Sequence, residues 1–133
     1  MSMRDFGLVG ELRAQYDTTA LQLIAVYVGD HGERLQAIAD SVGMPLLYAN
    51  DHMRKLVSMA DASITPEYFL FDAAGLLRYR GAIDDYAIGL GKHKRLAQKH
   101  YLSDAITAVL AGQQVVRRAT QPVGCVIEGT RRN

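Results

Sequence analysis

The side chains that could do chemistry in this sequence are few: one cysteine, four histidines and one pair of adjacent aspartates. Because a dithiol centre needs two cysteines, the lone Cys125 excludes a Cys-x-x-Cys motif and an internal disulfide within one copy of these residues. Cys125 then has two interpretations. It is either a resolving thiol that forms a disulfide with another molecule, or a small buried apolar residue, as unpaired cysteines commonly are.

The four histidines raise the question of a metal site. They are His31, His52, His93 and His100, and none of the pairs has the i, i+4 spacing that places two imidazoles on one face of a helix. A soft-metal site would also need cysteine ligands that the sequence does not supply. We therefore expect no metal and no other cofactor.

Two charged clusters follow the centre of the chain. Asp84-Asp85 has the look of a paired carboxylate site, but adjacent aspartates more often cap loops by accepting backbone hydrogen bonds. The nearby Arg80 suggests a local ion pair. Residues 92–95, Lys-His-Lys-Arg, could hold a phosphate or the acidic face of a partner, although a solvated basic loop is the simpler interpretation.

Composition is that of an ordinary globular protein, with 49% hydrophobic and 22% charged residues. Fifteen Lys and Arg against 14 Asp and Glu give a net charge of +1, so nucleic acid is not an expected partner. No apolar run approaches the length of a membrane span, and we expect no membrane partner. No secretory signal is visible at residues 1–5, which makes the cytoplasm the default location.

Hydrophobic periodicity predicts helices alternating with buried strands, the pattern of an α/β domain. We expect one domain over residues 1–116 and a C-terminal tail over 117–133, with a surface loop at 82–97. The chain opens with a helix, so the element missing from a compact sheet would be a central strand. The predicted elements, in order, are a helix at 4–17, a strand at 21–28, a helix at 33–42, a strand at 46–49, a helix at 51–60, a hairpin at 68–81 and a helix at 101–111.

Several spaced segments carry a family likeness: TPEYFLFD at 65–72, YRGAID at 79–84, LAGQQV at 110–115 and TQPVGCVI at 120–127. Together they resemble the second half of thioredoxin-like redoxins, in the peroxiredoxin-like branch related to AhpC/TSA and TlpA-type proteins. The resemblance implies a thioredoxin-like fold with a mixed sheet and a C-terminal antiparallel hairpin flanked by helices. It also implies thiol–disulfide or peroxide oxidoreductase chemistry with an antioxidant role.

The same resemblance implies where the active site would lie. Thr65 and Pro66 would stand beside the redox centre, with a cis peptide bond between them. The family's cysteines would fall near Ser2 and Asp5, neither of which can form a disulfide. We therefore expect a domain truncated at the N-terminus, without the first strand and the cysteine motif, and catalytically incomplete.

Two other functions remain open. A domain without its central strand would leave strand edges that can pair with another chain, which predicts a binding or strand-swapped assembly module and allows a homodimer. Relationship to the Sco-type copper proteins is a weaker hypothesis. That branch binds copper with two cysteines and a histidine, and this sequence has one cysteine. If the chain does act in redox chemistry, its partner would be a thiol or disulfide protein.

Overall fold

A computed structural model describes residues 3–17, 19–28, 32–41, 43, 46–49 and 64–126. It divides the chain into two compact units, Met1–Asp61 and Ala62–Asn133, and each is described by itself. Helices and strands alternate in the first unit and are mixed in the second, which confirms the predicted α/β class. The helix predicted at 51–60 lies outside the described residues.

The first unit contains helix α1 (Met3–Gln15), strand β1 (Ala25–Val28), helix α2 (Gly32–Ser41) and strand β2 (Leu46–Ala49). Strands β1 and β2 pair in parallel, and α2 is the crossover that joins them, because parallel neighbours cannot be linked by a tight turn. In α1 the residues at three-residue spacing that predicted the helix, Phe6, Val9 and Leu12, are buried. After α2, Gly43 adopts a φ of +68°, the left-handed conformation of a helix stop.

The strand predicted at 21–28 is shorter than expected and starts at Ala25. Before it, Asp17 builds a turn: its carboxylate accepts hydrogen bonds from the backbone N–H and the hydroxyl of Thr19, both at 2.6 Å. These bonds hold the pKa of Asp17 below its ordinary value. Ile24 is 55% exposed, so the apolar run extends beyond the part of it that forms a strand.

The second unit is built around an antiparallel hairpin of β4 (Tyr68–Phe71) and β5 (Leu77–Gly81). Asp72 shapes its turn, because one carboxylate oxygen accepts the N–H groups of Ala74 and Leu76 at 2.9 and 3.0 Å. Gly75 supplies a φ of +83° that a side chain would strain. This is the hairpin that the sequence predicts.

Helix α3 (Tyr101–Leu110) packs on both strands of that hairpin, and Gly112, with a φ of +70°, follows its end as the predicted stop. Two further short antiparallel pairs belong to this unit besides β4 with β5: β3 (Ile64–Thr65) with β8 (Cys125–Val126), and β6 (Ala87–Gly89) with β7 (Lys92–His93). The described strands therefore pair in twos, both parallel and antiparallel. The buried apolar core of the unit is formed by Ile64, Leu70, Tyr79, Ile83, Leu102, Ala105, Ile106 and Val115.

Two segments of this unit are more ordered than the sequence predicts. The expected surface loop at 82–97 contains the β6–β7 hairpin. The expected tail at 117–133 forms a parallel bridge from Ala119 to Arg80 and supplies strand β8. The order of the tail depends on partners distant in sequence, which local patterns do not reveal. Among the described residues, no helix is long and apolar enough to cross a membrane.

Candidate functional site

The backbone of Cys125 lies opposite that of Thr65. Strands β3 and β8 are antiparallel, with Thr65 in register with Cys125 and Ile64 with Val126. Pro66, which is half-buried, follows immediately after β3. The backbone of the only cysteine in the sequence is thereby held next to Thr65, the residue before Pro66. The two residues are far apart in sequence, so no local pattern predicts this pairing.

A partly buried ion pair stands next to this ladder. Glu67, the residue after Pro66, accepts a hydrogen bond from Nη2 of Arg80 at 2.9 Å, and its side chain is 4% exposed. The Arg80 guanidinium also lies 5.1 Å from the centre of the Phe69 ring, a cation–π contact. Arg80 thus balances the charge of Glu67, a residue that the sequence analysis did not single out, whereas the expected partner was the neighbouring Asp84-Asp85 and Asp85 pairs with Lys94.

The segment that leads to Cys125 is fixed against β5 by backbone bonds. The N–H of Arg80 donates to the carbonyl of Arg118 at 3.0 Å, and the N–H of Thr120 donates to the carbonyl of Arg80 at 3.0 Å. Residues 118–120 therefore run along the edge of β5 that β4 leaves open. Only four residues separate Thr120 from Cys125, so this attachment limits where β8 can lie.

Side chains complete that attachment in a cluster that we call the Thr120 junction, formed by Tyr79, Gly81, Ala82 and Thr120. The hydroxyl of Tyr79 donates to the carbonyl of Ala82 at 2.5 Å and bonds to Thr120 Oγ1 at 2.6 Å. The N–H of Ala82 donates to the same Oγ1 at 2.9 Å. The three bonds are mutually consistent when the Thr120 hydroxyl donates to Tyr79, which closes a ring of hydrogen bonds.

Tyr79 is fully buried, and burial raises the pKa of its hydroxyl to about 12. The hydroxyl is therefore neutral at physiological pH. Its role in this structure is to hold Ala82 and Thr120 by hydrogen bonds, not to act as an acid or base. Gly81 lies directly against Thr120 with a φ of +136°, where a side chain would collide. No local pattern predicts this junction, although its residues lie in the segments that carry the family likeness.

Asp84 and Asp85 act as loop caps, as the simpler interpretation of the pair predicts. Asp84 Oδ1 accepts the N–H of Tyr86 at 3.0 Å. Asp85 accepts Lys94 Nζ at 2.6 Å on one oxygen, and the N–H groups of Gln98 and Lys99 at 2.8 and 3.0 Å on the other. The ion pair with Lys94 and these backbone bonds hold the pKa of Asp85 well below its ordinary value.

The remaining candidates are not brought together. His93 stacks on Tyr86 with ring centres 4.6 Å apart, and the exposed His100 precedes α3. Within the described ranges, no group of three potential metal ligands is found. Three candidates, Ser2, His31 and His52, lie outside the described residues. Asp5 lies in the first turn of α1.

No known family model and no curated protein matches the chain. Solved structures do. A hypothetical protein from Sinorhizobium meliloti is 26% identical with a TM-score of 0.74, over 92% of this chain and 69% of that one. An uncharacterized conserved protein from Geobacillus kaustophilus is 22% identical with a TM-score of 0.71, over 96% of this chain and 70% of that one. These likenesses show a shared fold, and neither description states an activity.

Proposed function

We propose that this chain is a thioredoxin-like redoxin domain of the thiol–disulfide or peroxide oxidoreductase class, with one thiol where dithiol catalysis needs two. The observation that carries the proposal is the register of β3 and β8, which sets Cys125 opposite the residue before Pro66. The hairpin of β4 and β5 covered by α3 supports it as well, because the resemblance expects that arrangement after Pro66.

The chemistry open to a single thiol is exchange with a second molecule. The Cys125 thiolate attacks one sulfur of a disulfide, the sulfur–sulfur bond breaks, and the other sulfur leaves as a thiolate. With a peroxide, the thiolate takes one oxygen to become a sulfenic acid and an alcohol or water leaves. Both reactions use a co-reactant from outside the chain, and a mixed disulfide at Cys125 needs a further thiol to resolve it.

The charges next to the ladder bear on such a reaction. An uncompensated carboxylate beside a thiol would disfavour the thiolate. The carboxylate of Glu67 is held by Arg80, so the residue that follows Pro66 brings little net negative charge.

The reactivity of Cys125 tests this proposal. We expect the folded protein to react with 5,5′-dithiobis(2-nitrobenzoate) at least as fast as the same chain unfolded in urea, releasing one thionitrobenzoate per chain. Cys125→Ser is the control that must release none. A folded rate far below the unfolded rate would make Cys125 a buried structural thiol and would overturn the proposal.

The incompleteness of the centre has its own test. We expect no catalytic turnover in insulin reduction with dithiothreitol, because a single thiol cannot release its partner by forming an internal disulfide. A turnover that Cys125→Ser abolishes would show that one thiol suffices, and would contradict this part of the proposal while leaving the oxidoreductase class intact.

A further inference from the structure

The segment that Asp85 caps exposes large aliphatic side chains. We call residues 86–99 the Asp85 loop; it contains the β6–β7 hairpin. Ile88, Leu90 and Leu96 are 60%, 72% and 74% exposed. Three exposed aliphatic residues within nine positions form a surface that water solvates poorly.

The same loop is basic and carries no acidic residue. From Tyr86 to Ser103 the sequence has three lysines and one arginine but no aspartate or glutamate, in a chain whose net charge is only +1. Lys92, Arg95 and Lys99 are exposed, whereas Lys94 is engaged with Asp85. The loop thus combines positive charge with exposed aliphatic side chains.

The two aspartates at the base of the loop do not offset this charge at the surface. Asp84 and Asp85 are 4% and 8% exposed, and both carboxylates accept hydrogen bonds from within the loop. The Asp85 carboxylate also neutralises Lys94 at 2.6 Å. An approaching surface therefore meets the lysines and arginine of a loop that contains no acidic residue of its own.

The loop is held in a defined shape. Asp85 joins its two ends through its own N–H, which donates to the carbonyl of Lys99 at 3.1 Å, and through its carboxylate. The N–H of Lys94 donates to the carbonyl of Tyr86 at 2.8 Å. A loop fixed in this way presents its side chains with little further loss of conformational entropy on binding.

Leu90 lies at the tip of this hairpin. The register pairs Gly89 with Lys92 and Ala87 with His93, so the turn consists of Leu90 and Gly91, and Gly91 takes a φ of +70°. Unpaired peptide groups are costly to remove from water, so backbone hydrogen bonds behind the tip lower the cost of moving the tip into an apolar environment. The tip can enter such an environment with much of its supporting backbone already bonded.

We infer that the Asp85 loop binds an anionic lipid surface, with Leu90 and its aliphatic neighbours in the interface and Lys92, Arg95 and Lys99 at the phosphate headgroups. Leucine with lysine is the composition of interfacial membrane-binding segments. Protein–protein interfaces are instead depleted in lysine and take their binding energy mainly from Trp, Tyr and Arg. The composition therefore favours lipid over an acidic protein segment.

This inference is independent of the proposed redox function. It departs from the expectation of no membrane partner, which rested on the lack of a spanning segment. A loop that lies at the interface needs no such segment, because it inserts a few side chains rather than crossing the bilayer.

The chain has no tryptophan, which makes an introduced one a specific reporter. We expect the emission of Leu90→Trp to shift to shorter wavelength, and to be quenched by brominated lipid, with phosphatidylcholine vesicles containing about 30 mol% phosphatidylglycerol but not with phosphatidylcholine alone. Val116→Trp, at a fully exposed residue outside the loop, is the control and should not respond. An unchanged Leu90→Trp spectrum would overturn the inference.

Charge variants give a second measurement, on a chain in which Leu90 at the loop tip is unchanged. In vesicle cosedimentation we expect Lys92→Glu with Arg95→Glu to reduce the bound fraction at least about fivefold, and about 0.5 M salt to do the same to the wild-type protein, since such contacts are screened. Arg117→Glu with Arg118→Glu carries the same charge change outside the loop and should bind normally.

Two results would count against lipid. Equal binding of the two double variants would show that overall charge, rather than the loop, is responsible. Binding to a peptide of alternating glutamate and leucine, with no binding to anionic vesicles, would assign the loop to a protein partner instead.

Discussion

The Thr120 junction and the Asp85 loop use buried polar groups in opposite ways. Tyr79 is neutral and fully buried, and its hydroxyl fixes one chain segment against another inside the core. Asp85 is charged and near the surface, and its carboxylate fixes a loop whose aliphatic side chains face water. The first arrangement stabilises the packing of residues 118–120, which lead to β8, against β5. The second fixes the conformation of an exposed loop. Substitutions should therefore affect global stability at the junction and local order at the loop.

The largest effect is expected for Gly81→Ala. A Cβ at this position would fall on the side chain and carbonyl of Thr120, and the φ of +136° is one that L side chains rarely adopt. Overpacking and backbone strain each cost about 1–3 kcal/mol, so we expect a loss of about 3 kcal/mol or more in the free energy of unfolding. Urea denaturation followed by circular dichroism measures it.

Gly75→Ala is the matched control for Gly81→Ala. Gly75 also has a positive φ, +83°, but a Cβ there meets nothing within 4 Å. Its cost should be limited to the left-handed backbone, about 1–2 kcal/mol. Equal losses for the two variants would show that residues 118–120 do not pack against β5 as described.

An intermediate effect is expected for Tyr79→Phe. Removing the hydroxyl leaves the Ala82 carbonyl without the Tyr79 donor and the Thr120 hydroxyl proton without its acceptor, while Thr120 Oγ1 still accepts the N–H of Ala82. An unpaired group away from water costs about 1–3 kcal/mol. Tyr101→Phe is the control, because no hydrogen bond of the Tyr101 hydroxyl is found among the described residues. If Tyr79→Phe left the free energy of unfolding unchanged, the stability of the junction would come from its backbone hydrogen bonds alone.

Tyr79 also gives the junction a pH dependence. Its pKa is raised from the ordinary 10.0 to about 12, so the folded state holds this proton more tightly than the unfolded state does. The stabilisation is therefore complete below pH 10 and is lost as pH rises toward 12. Alkaline unfolding of Tyr79→Phe should lack this component, which a denaturation series between pH 9 and about 12 resolves.

The contrast between the two regions also marks what the sequence could predict. The hairpin was predictable because the Tyr-Phe-Leu-Phe run, Asp72 and Gly75 act locally, through strand propensity and turn chemistry. The role of Asp84-Asp85 as caps was predictable for the same reason. Each signal lies within a few residues of the structure that it forms.

Pairings across long separations were not predictable. Thr65 with Cys125, and Arg80 with residues 118–120, join segments about forty to sixty positions apart that carry no matching local pattern. The β6–β7 hairpin was missed because a basic, glycine-containing stretch has the composition of a loop, and Asp85 orders it through Lys94, Gln98 and Lys99. The candidate site consists mostly of such contacts, whereas the fold class does not.

The smallest global effect, and the largest local one, is expected for Asp85→Asn. The amide keeps the size of the side chain but loses the ion pair with Lys94 and weakens the bonds from Gln98 and Lys99. Because the loop opens without disturbing the core around Tyr79, global unfolding should change less than for Tyr79→Phe. Hydrogen exchange of the Gln98 and Lys99 amides should accelerate strongly in the variant.

Acid provides the sharper comparison for this residue. The fold lowers the pKa of Asp85 from 3.8, so its contribution is present above that pH and is lost as pH falls through the lower folded value. The difference in exchange between wild-type protein and Asp85→Asn should therefore persist at pH 4 and shrink at more acidic pH. Asp104→Asn, an exposed carboxylate in the first turn of α3, should leave exchange at residues 98 and 99 unchanged. If Asp85→Asn also left it unchanged, the loop would owe its shape to the β6–β7 pairing and the Tyr86–His93 stack rather than to the carboxylate.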